Sequence, residues 1–448
     1  MYLLGVLFVA LGISVSIALH EYGHLFWAKK FGVKVTQFMV GFGPTLWSRT
    51  RGETEYGLKA IPFGGFTRMI GMLPPKPGAD PSMLRASSTG RFSQLMDQAR
   101  QESMDEVKAG DEDRVFYKLS TPKKLVVMLG GPTMNLLIAA VLLGGIFTLY
   151  GSPGLTSRVS SVSQCVQSVP ANGKAPAACS PSDPQAPANA AGVRPGDRII
   201  SMAGQPVNSW DDVKALTRPN GGQTIPIVVE RSGKRLSLVA TPILNNVPRV
   251  DSQGNLVLGP DGKAIIDRVG FLGLSPSYEN VKAPITAVPS MIGGQVAATA
   301  GVVLTLPQRM SGIVTAAFGS GTRDPSLMSV VGVGRVAGEV ADGQLSGVGG
   351  PSSGAAKLVI LLSLIASLNL ALFVFNLIPL TPLDGGQAAG ALWEGLKRQV
   401  ARLRGRPNPG YVDVAKALPV TYVVAIALIG MTVLLMYADV VNPIKLGG

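Results

Sequence analysis

The sequence predicts a polytopic α-helical membrane protein with four transmembrane helices, a membrane-associated β-hairpin segment and a small extracytoplasmic α/β domain. Three observations carry that prediction. First, long apolar runs at Tyr2 to Ala28, Leu125 to Tyr150, Leu358 to Leu383 and about Ala417 to Tyr437 each reach the length of about 18 or more residues that a bilayer crossing needs. Second, basic residues gather at the ends of these runs. Third, 46% of the residues are hydrophobic and only 15% are charged, with a mean hydropathy of +0.32.

The first run lacks a basic n-region and continues into a polar cluster, so it reads as a retained span and not as a cleaved signal peptide. Lys29, Lys30 and Lys34 follow it, Lys118, Lys123 and Lys124 precede the second run, and Lys397, Arg398, Arg402, Arg404 and Arg406 lie between the third and fourth. The positive-inside rule makes these places cytoplasmic and puts both termini outside. The net charge of +13 is accounted for in this way. No aromatic-studded basic face of the kind that binds nucleic acid is evident.

In order, the expected segments are transmembrane helix 1 at 1–28, a cytoplasmic segment at 29–121, helix 2 at 122–150, an extracytoplasmic α/β domain at 151–280, a linker at 281–353, helix 3 at 354–386, a cytoplasmic loop at 387–414 and helix 4 at 415–440. Within 29–121, residues 33–70 contain β-branched and aromatic runs broken by Gly, Pro and an Arg-Gly-Glu turn, which predicts hairpins. Residues 74–120 are polar and predict a helix or two. In the linker, 284–306 is apolar but carries two prolines and a Gly-Gly pair. One more crossing there would move the Arg-rich 397–406 loop outside, so an interfacial helix is expected.

Residues 189–243 alternate turns, a strand at Arg198 to Met202, a helix near Trp210 to Leu216 and two strands split by Ser232-Gly233. This stretch, above all "AGVRPGDRIISMAGQPV", resembles a PDZ domain of the type found in bacterial proteases. Such domains accept a peptide by strand addition, although the same fold also serves as a spacer. Residues 244–270 read as an inserted hairpin. Cys165 and Cys179 are the only cysteines. An oxidising compartment permits a disulfide between them; two unpaired thiols in an insert are the alternative.

The stretch "HEYGH" holds the chain's only two histidines. On a helix, His20 and His24 project from one face a turn apart and can share one zinc ion, while Glu21 can take a proton from the attacking water. At a rise of about 1.5 Å per residue His20 lies roughly 13 Å along the helix from Lys29, inside the membrane near its cytoplasmic side. An ionisable group in a span is a functional-site hypothesis by default. Catalytic zinc takes three protein ligands and leaves a place for water. With no third histidine, Asp384 in "FVFNLIPLTPLDGGQAAG" is the best third ligand: Pro379, Pro382, Gly385 and Gly386 break the helix there, and parity puts it on the same side as the histidines. Gly385 and Gly386 are expected to help open a polar path for water.

Together, "HEYGH", "NLIPLTPLDGG" and the PDZ-like domain between them resemble the site-2 protease family of intramembrane zinc metalloproteases, in its bacterial PDZ-containing branch that cleaves membrane-anchored anti-sigma factors. The resemblance implies one zinc ion per chain at His20, His24 and Asp384, with Glu21 as general base. It implies that Asn376 holds the substrate backbone and that Asn135, in a Gly-Pro-x-x-Asn motif, contributes near the site. Each asparagine also suits an interhelical hydrogen bond. Single-span membrane proteins, including anti-sigma factors and signal-peptide remnants, are the implied substrates, at the inner membrane. The hairpin at "YGLKAIPFGGFTRM" is similar to the family's membrane-associated β segment. A single PDZ-like unit departs from relatives that have two. The competing reading is a membrane-tethered PDZ binding protein with a vestigial metal site, for which an intact Glu21 has no use. A zinc transporter would need further intramembrane ligands.

Overall fold

The computed structural model describes residues 1–75, 98, 101–166, 179–180, 183–249, 257–259, 265–319, 327–343, 353–412 and 414–443. The chain divides into two units, Met1–Ile146 with Pro284–Gly448, and Phe147–Ala283.

The first unit opens with α1 (Tyr2–Lys30), whose last turn carries Lys29 and Lys30, where positive charge complements the carbonyl end of the helix dipole. Gly32, at φ +83°, turns the chain into an antiparallel pair of long, folded-back strands, β1 (Val35–Arg51) and β2 (Thr54–Met69), in which residues 37–40 pair on one side with 55–58 and on the other with 65–68, and 45–51 pair with 54–59. The hairpins expected in 33–70 are present as this folded-back pair. Residues 37–40 thus lie in the middle of the sheet, with 65–68 at one edge and 45–51 at the other. One end of the sheet is buried, with Val35, Met69, Leu25, Ala28, Val127 and Met128 in one apolar cluster and Thr54 donating to the Val35 carbonyl, whereas Phe42, Leu46, Trp47 and Ile61 toward the other end are exposed. Of the expected helices in 74–120, residues 101–105 are helical, and 76–97 and 99–100 fall outside the described residues. Helix α2 (Thr121–Gly145) follows. It crosses α1 at a pair of glycines: a Cβ on Gly130 would stand 2.6 Å from the Gly23 carbonyl oxygen, so only small residues permit this approach.

The second unit is a six-stranded antiparallel sheet built on the path β10-β3-β4-β6-β7, with β5 beside β4. In chain order come β3 (Ser152–Val162), α3 (Pro187–Ala190), β4 (Arg198–Met202), β5 (Gln205–Pro206), α4 (Trp210–Thr217), β6 (Ile225–Arg231) and β7 (Lys234–Ala240). A separate pair, β8 (Ile243–Pro248) and β9 (Ile266–Phe271), precedes β10 (Leu274–Val281); the stretch between β8 and β9 is described only at 249, 257–259 and 265. Ile199, Met202, Ile227, Val229, Trp210 and Val213 form the core. Ser209 and Asp212 cap α4 reciprocally, a capping box. Cys165 and Cys179 are joined by a disulfide.

Asp197 is fully buried and accepts two hydrogen bonds from Arg231, at 2.7 and 2.8 Å, and one from the Arg194 N–H at 2.8 Å. Burial alone would raise its pKa, but these donors outweigh burial and hold it below the usual value. A depressed native pKa contributes stability that is complete above the unfolded carboxylate value of about 3.9 and is lost as pH falls through the native one. Asp197→Ala is expected to destabilise this unit by about 3–5 kcal/mol, read as faster amide exchange in β4 and β6 of the full chain.

Back in the first unit, a 3₁₀ turn at Ile285–Ala287 leads into α5 (Val288–Leu304) and α6 (Leu306–Phe318), followed by α7 (Val330–Asp342), α8 (Gly354–Asn376), α9 (Asp384–Leu403) and α10 (Leu418–Val441). Five helices among the described residues are long and apolar enough to cross a membrane: the four expected ones and Ile285–Leu304. Helix α7 was not anticipated. Its glycines let it pack on α1, where Gly338 lies against the Tyr2 ring and Gly5 against the Ala337 carbonyl. The segment read as a loop from 387 is helical through Leu403.

Candidate metal centre

Three side chains converge where α1, α2 and the start of α9 meet. His20 and His24 sit one turn apart on α1, with Nε2 atoms 3.3 Å from each other. Asp384, the first residue of α9, places Oδ2 3.2 Å from His20 Nε2 and 3.4 Å from His24 Nε2. No other group of three His, Cys, Asp or Glu side chains among the described residues is arranged to hold a metal ion.

The fit to zinc is geometric and chemical. Bonds of about 2.0–2.1 Å at tetrahedral angles separate neighbouring ligand atoms by about 3.3–3.4 Å, which matches the three edges here. Asp384 Oδ2 is buried without a hydrogen-bond partner, a costly arrangement that a cation relieves. Gly131 on α2 leaves the necessary space. A Cβ there would overlap His24 Nε2 and stand 2.7 Å from His20 Nε2.

Neighbouring groups fix the imidazoles. His24 Nδ1 lies 2.8 Å from the Val127 carbonyl oxygen, so Nδ1 carries the proton and Nε2 keeps its lone pair. His20 Nδ1 lies 3.1 Å from the amide of the fully buried Asn135, whose Oδ1 has no partner. A ligating Nε2 requires a protonated Nδ1, and turning the amide over lets Oδ1 accept that proton, with the amide orientation decided by the hydrogen-bond network. Asn135 therefore borders a metal-site histidine. Asn376 ends α8, eight positions before Asp384, half-buried and without a side-chain hydrogen bond among the described residues.

Asp384 is positioned by close backbone packing. A Cβ on Gly386 would stand 2.6 Å from the Leu380 carbonyl carbon, and one on Gly385 2.7 Å from that of Leu377. These two glycines thus bring the first turn of α9 against the 377–381 turn. Further along α9, buried Glu394 accepts from Lys124 of α2 at 2.8 Å, from Arg398 at 2.9 Å and from the Val412 N–H at 3.1 Å. On the other side, Asn369 of α8 donates to Ser16 of α1 at 2.9 Å.

Glu21 is half-buried and abuts β2, where a Cβ on Gly65 would stand 2.9 Å from its Cγ. The Thr67 hydroxyl lies 2.9 Å from Glu21 Oε2 and 3.1 Å from the Glu21 carbonyl oxygen. Sequence reasoning missed Thr67 and Gly131, although Thr67 lies within "YGLKAIPFGGFTRM" and Gly131 is the glycine of the Gly-Pro-x-x-Asn motif.

Comparison with known proteins agrees with this chemistry. The model for Peptidase family M50 matches residues 8–420. The zinc metalloprotease Rip1 of Mycobacterium tuberculosis is 34% identical, with 100% of this chain and 99% of that protein aligned. Rip1 of Mycobacterium bovis is likewise 34% identical over 100% and 99%, and Rip1 of Mycolicibacterium smegmatis 32% over the same shares. With two histidines and an aspartate gathered around one point and a family match over most of its length, the chain belongs to peptidase family M50, the site-2 protease family of zinc metalloproteases.

Proposed function

We propose that the chain hydrolyses peptide bonds within the transmembrane segments of single-span membrane proteins such as anti-sigma factors or signal-peptide remnants, with His20, His24 and Asp384 as zinc ligands and Glu21 as general base. The convergence of His20, His24 and Asp384 from two separate stretches, with Glu21 beside them, carries this reading. Bound there, zinc activates water and polarises the scissile carbonyl. Glu21 takes the proton of the attacking water and delivers it to the leaving amine. Val127 and Asn135 hold the two imidazoles in the ligating tautomer. Because a helical substrate hides its carbonyls, it must unwind, and the edge of β2 beside Glu21 offers backbone partners to an extended strand. Asn376, at the end of α8, is assigned to holding that strand.

The Thr67 hydroxyl orients Glu21. Thr67→Val is expected to lower kcat by about 10- to 100-fold through misplacement of the base, with KM and zinc content unchanged, and Thr67→Ser to restore it. An unaltered kcat for the Val variant would remove Thr67 from this role.

The proposed topology has four crossings, α1, α2, α8 and α10, in the inner membrane, with both termini and the Phe147–Ala283 unit outside and the metal site near the cytoplasmic face. The course of the chain supports it. Val288 of α5 begins beside Gly144 at the end of α2, and Ile313 and Ala317 of α6 pack against Leu435 and Ala438 at the end of α10. The α5–α6 segment therefore starts and finishes near helix ends of one side, as an interfacial or partly inserted segment does. The Phe147–Ala283 unit is read as PDZ-like. A groove between Trp210, Val213, Lys214, Thr217 and Arg218 on one side and residues 269–274 on the other suits a peptide ligand.

Comparison of cells carrying the wild type with cells carrying Glu21→Gln tests the assignment. Membrane fragments that accumulate only in the variant are the expected substrates, and an identical fragment pattern in both would refute it.

A further inference from the structure

Helix α9 turns an amphipathic face away from the protein. Leu392, Trp393, Leu396, Val400 and Leu403 are exposed, and at 100° per residue they fall within one arc of about 100°. On the other side Ala388, Ala391 and Glu394 are buried. The charges around the apolar stripe are of one sign. Lys397, Arg402, Arg404 and Arg406 are all exposed, and the only acid between Gln387 and Val412 is Glu394, which Lys124 and Arg398 neutralise. The Lys397 ammonium stands 5.3 Å from the Trp393 ring centroid, the pairing of an amphipathic ring with a snorkelling cation that marks a membrane–water boundary. Position agrees with charge. Glu394 meets Lys124, and Gly395 packs against Thr121, in the first turn of the long apolar helix α2.

We propose that this face of α9 binds anionic phospholipids of the adjacent leaflet, with the apolar stripe among the acyl chains and the four cations on the headgroups. The proposal rests on the reading that the chain crosses a bilayer. A soluble acidic partner would satisfy the cations but leave the stripe without an apolar surface continuous with that around α2. Each cation near an anionic surface strengthens association by up to about fivefold. Because α9 begins at Asp384, the lipid would hold the element that carries a metal ligand.

The test uses the full chain reconstituted with phosphatidylcholine or phosphatidylglycerol bearing brominated acyl chains, which quench nearby tryptophan. The Trp393 component is the difference between the wild type and Trp393→Phe. The proposal expects stronger quenching of that component by brominated phosphatidylglycerol. The preference should fall by up to about fivefold per charge in Lys397→Gln/Arg402→Gln/Arg404→Gln/Arg406→Gln, with zinc content retained. Equal quenching by the two lipids would overturn it, leaving plain bilayer contact. Absence of Trp393 quenching while other tryptophans are quenched would also overturn it and assign the face to a soluble protein. If no tryptophan were quenched by either lipid, the bilayer reading itself would fall, and the proposal with it.

Discussion

Glu21→Gln is expected to retain one zinc per chain and to lose peptide-bond cleavage by about 100- to 10,000-fold, the range that general acid–base catalysis contributes. The substitution preserves volume and the hydrogen bond from the Thr67 hydroxyl, since the glutamine Oε1 still accepts. It removes only the capacity to take a proton. None of the three metal-site atoms belongs to Glu21, so zinc content separates loss of the base from loss of the site. Measured turnover of a membrane substrate at wild-type rate would refute the general-base role.

Gly131→Ala is expected to weaken zinc binding by about 10- to 100-fold and to lower activity with it. A methyl group there would overlap His24 Nε2 and crowd His20 Nε2 and Cε1, the latter at 2.8 Å. The imidazoles cannot retreat without breaking the contacts of their Nδ1 atoms with Val127 and Asn135. Gly145→Ala is the matching control, because it lies on the same helix with nothing within 4 Å of the added atom. Chelator competition should find zinc affinity unchanged in the control and lowered in Gly131→Ala. Equal affinities would mean that the space at Gly131 is not needed by the site.

The contrast between these two glycines shows what a sequence makes legible. His20, Glu21 and His24 declare themselves because their relation is local, one helical turn. Asp384 is legible through the irregular, proline-rich backbone that precedes it. Thr67 lies 46 positions from Glu21, on a strand that folds back so that two of its segments flank residues 37–40, so no spacing rule relates them. Gly131 reaches the histidines only because Gly23 and Gly130 let α1 and α2 close together, a tertiary fact. Helix α7 was hidden for a related reason. "VVGVGRVAGEVAD" has poor intrinsic helix propensity, and its helix is held by packing on Tyr2 and Gly5 and by the Ser329 cap, whose N–H donates to Asp439 Oδ2 at 2.6 Å. In α9, the basic residues drew attention to charge and led to a loop, although Leu392, Leu396, Val400 and Leu403 already carried a helical period.

The central claim is that His20, His24 and Asp384 together hold one catalytic zinc ion. X-ray absorption at the zinc edge on the purified full chain, compared with Asp384→Asn, tests it most directly. The account predicts one zinc per chain in a four-coordinate shell of two imidazole nitrogens and two oxygens, with an altered or depleted shell in the variant. Substoichiometric zinc in the wild type, or an identical shell in both proteins, would contradict it.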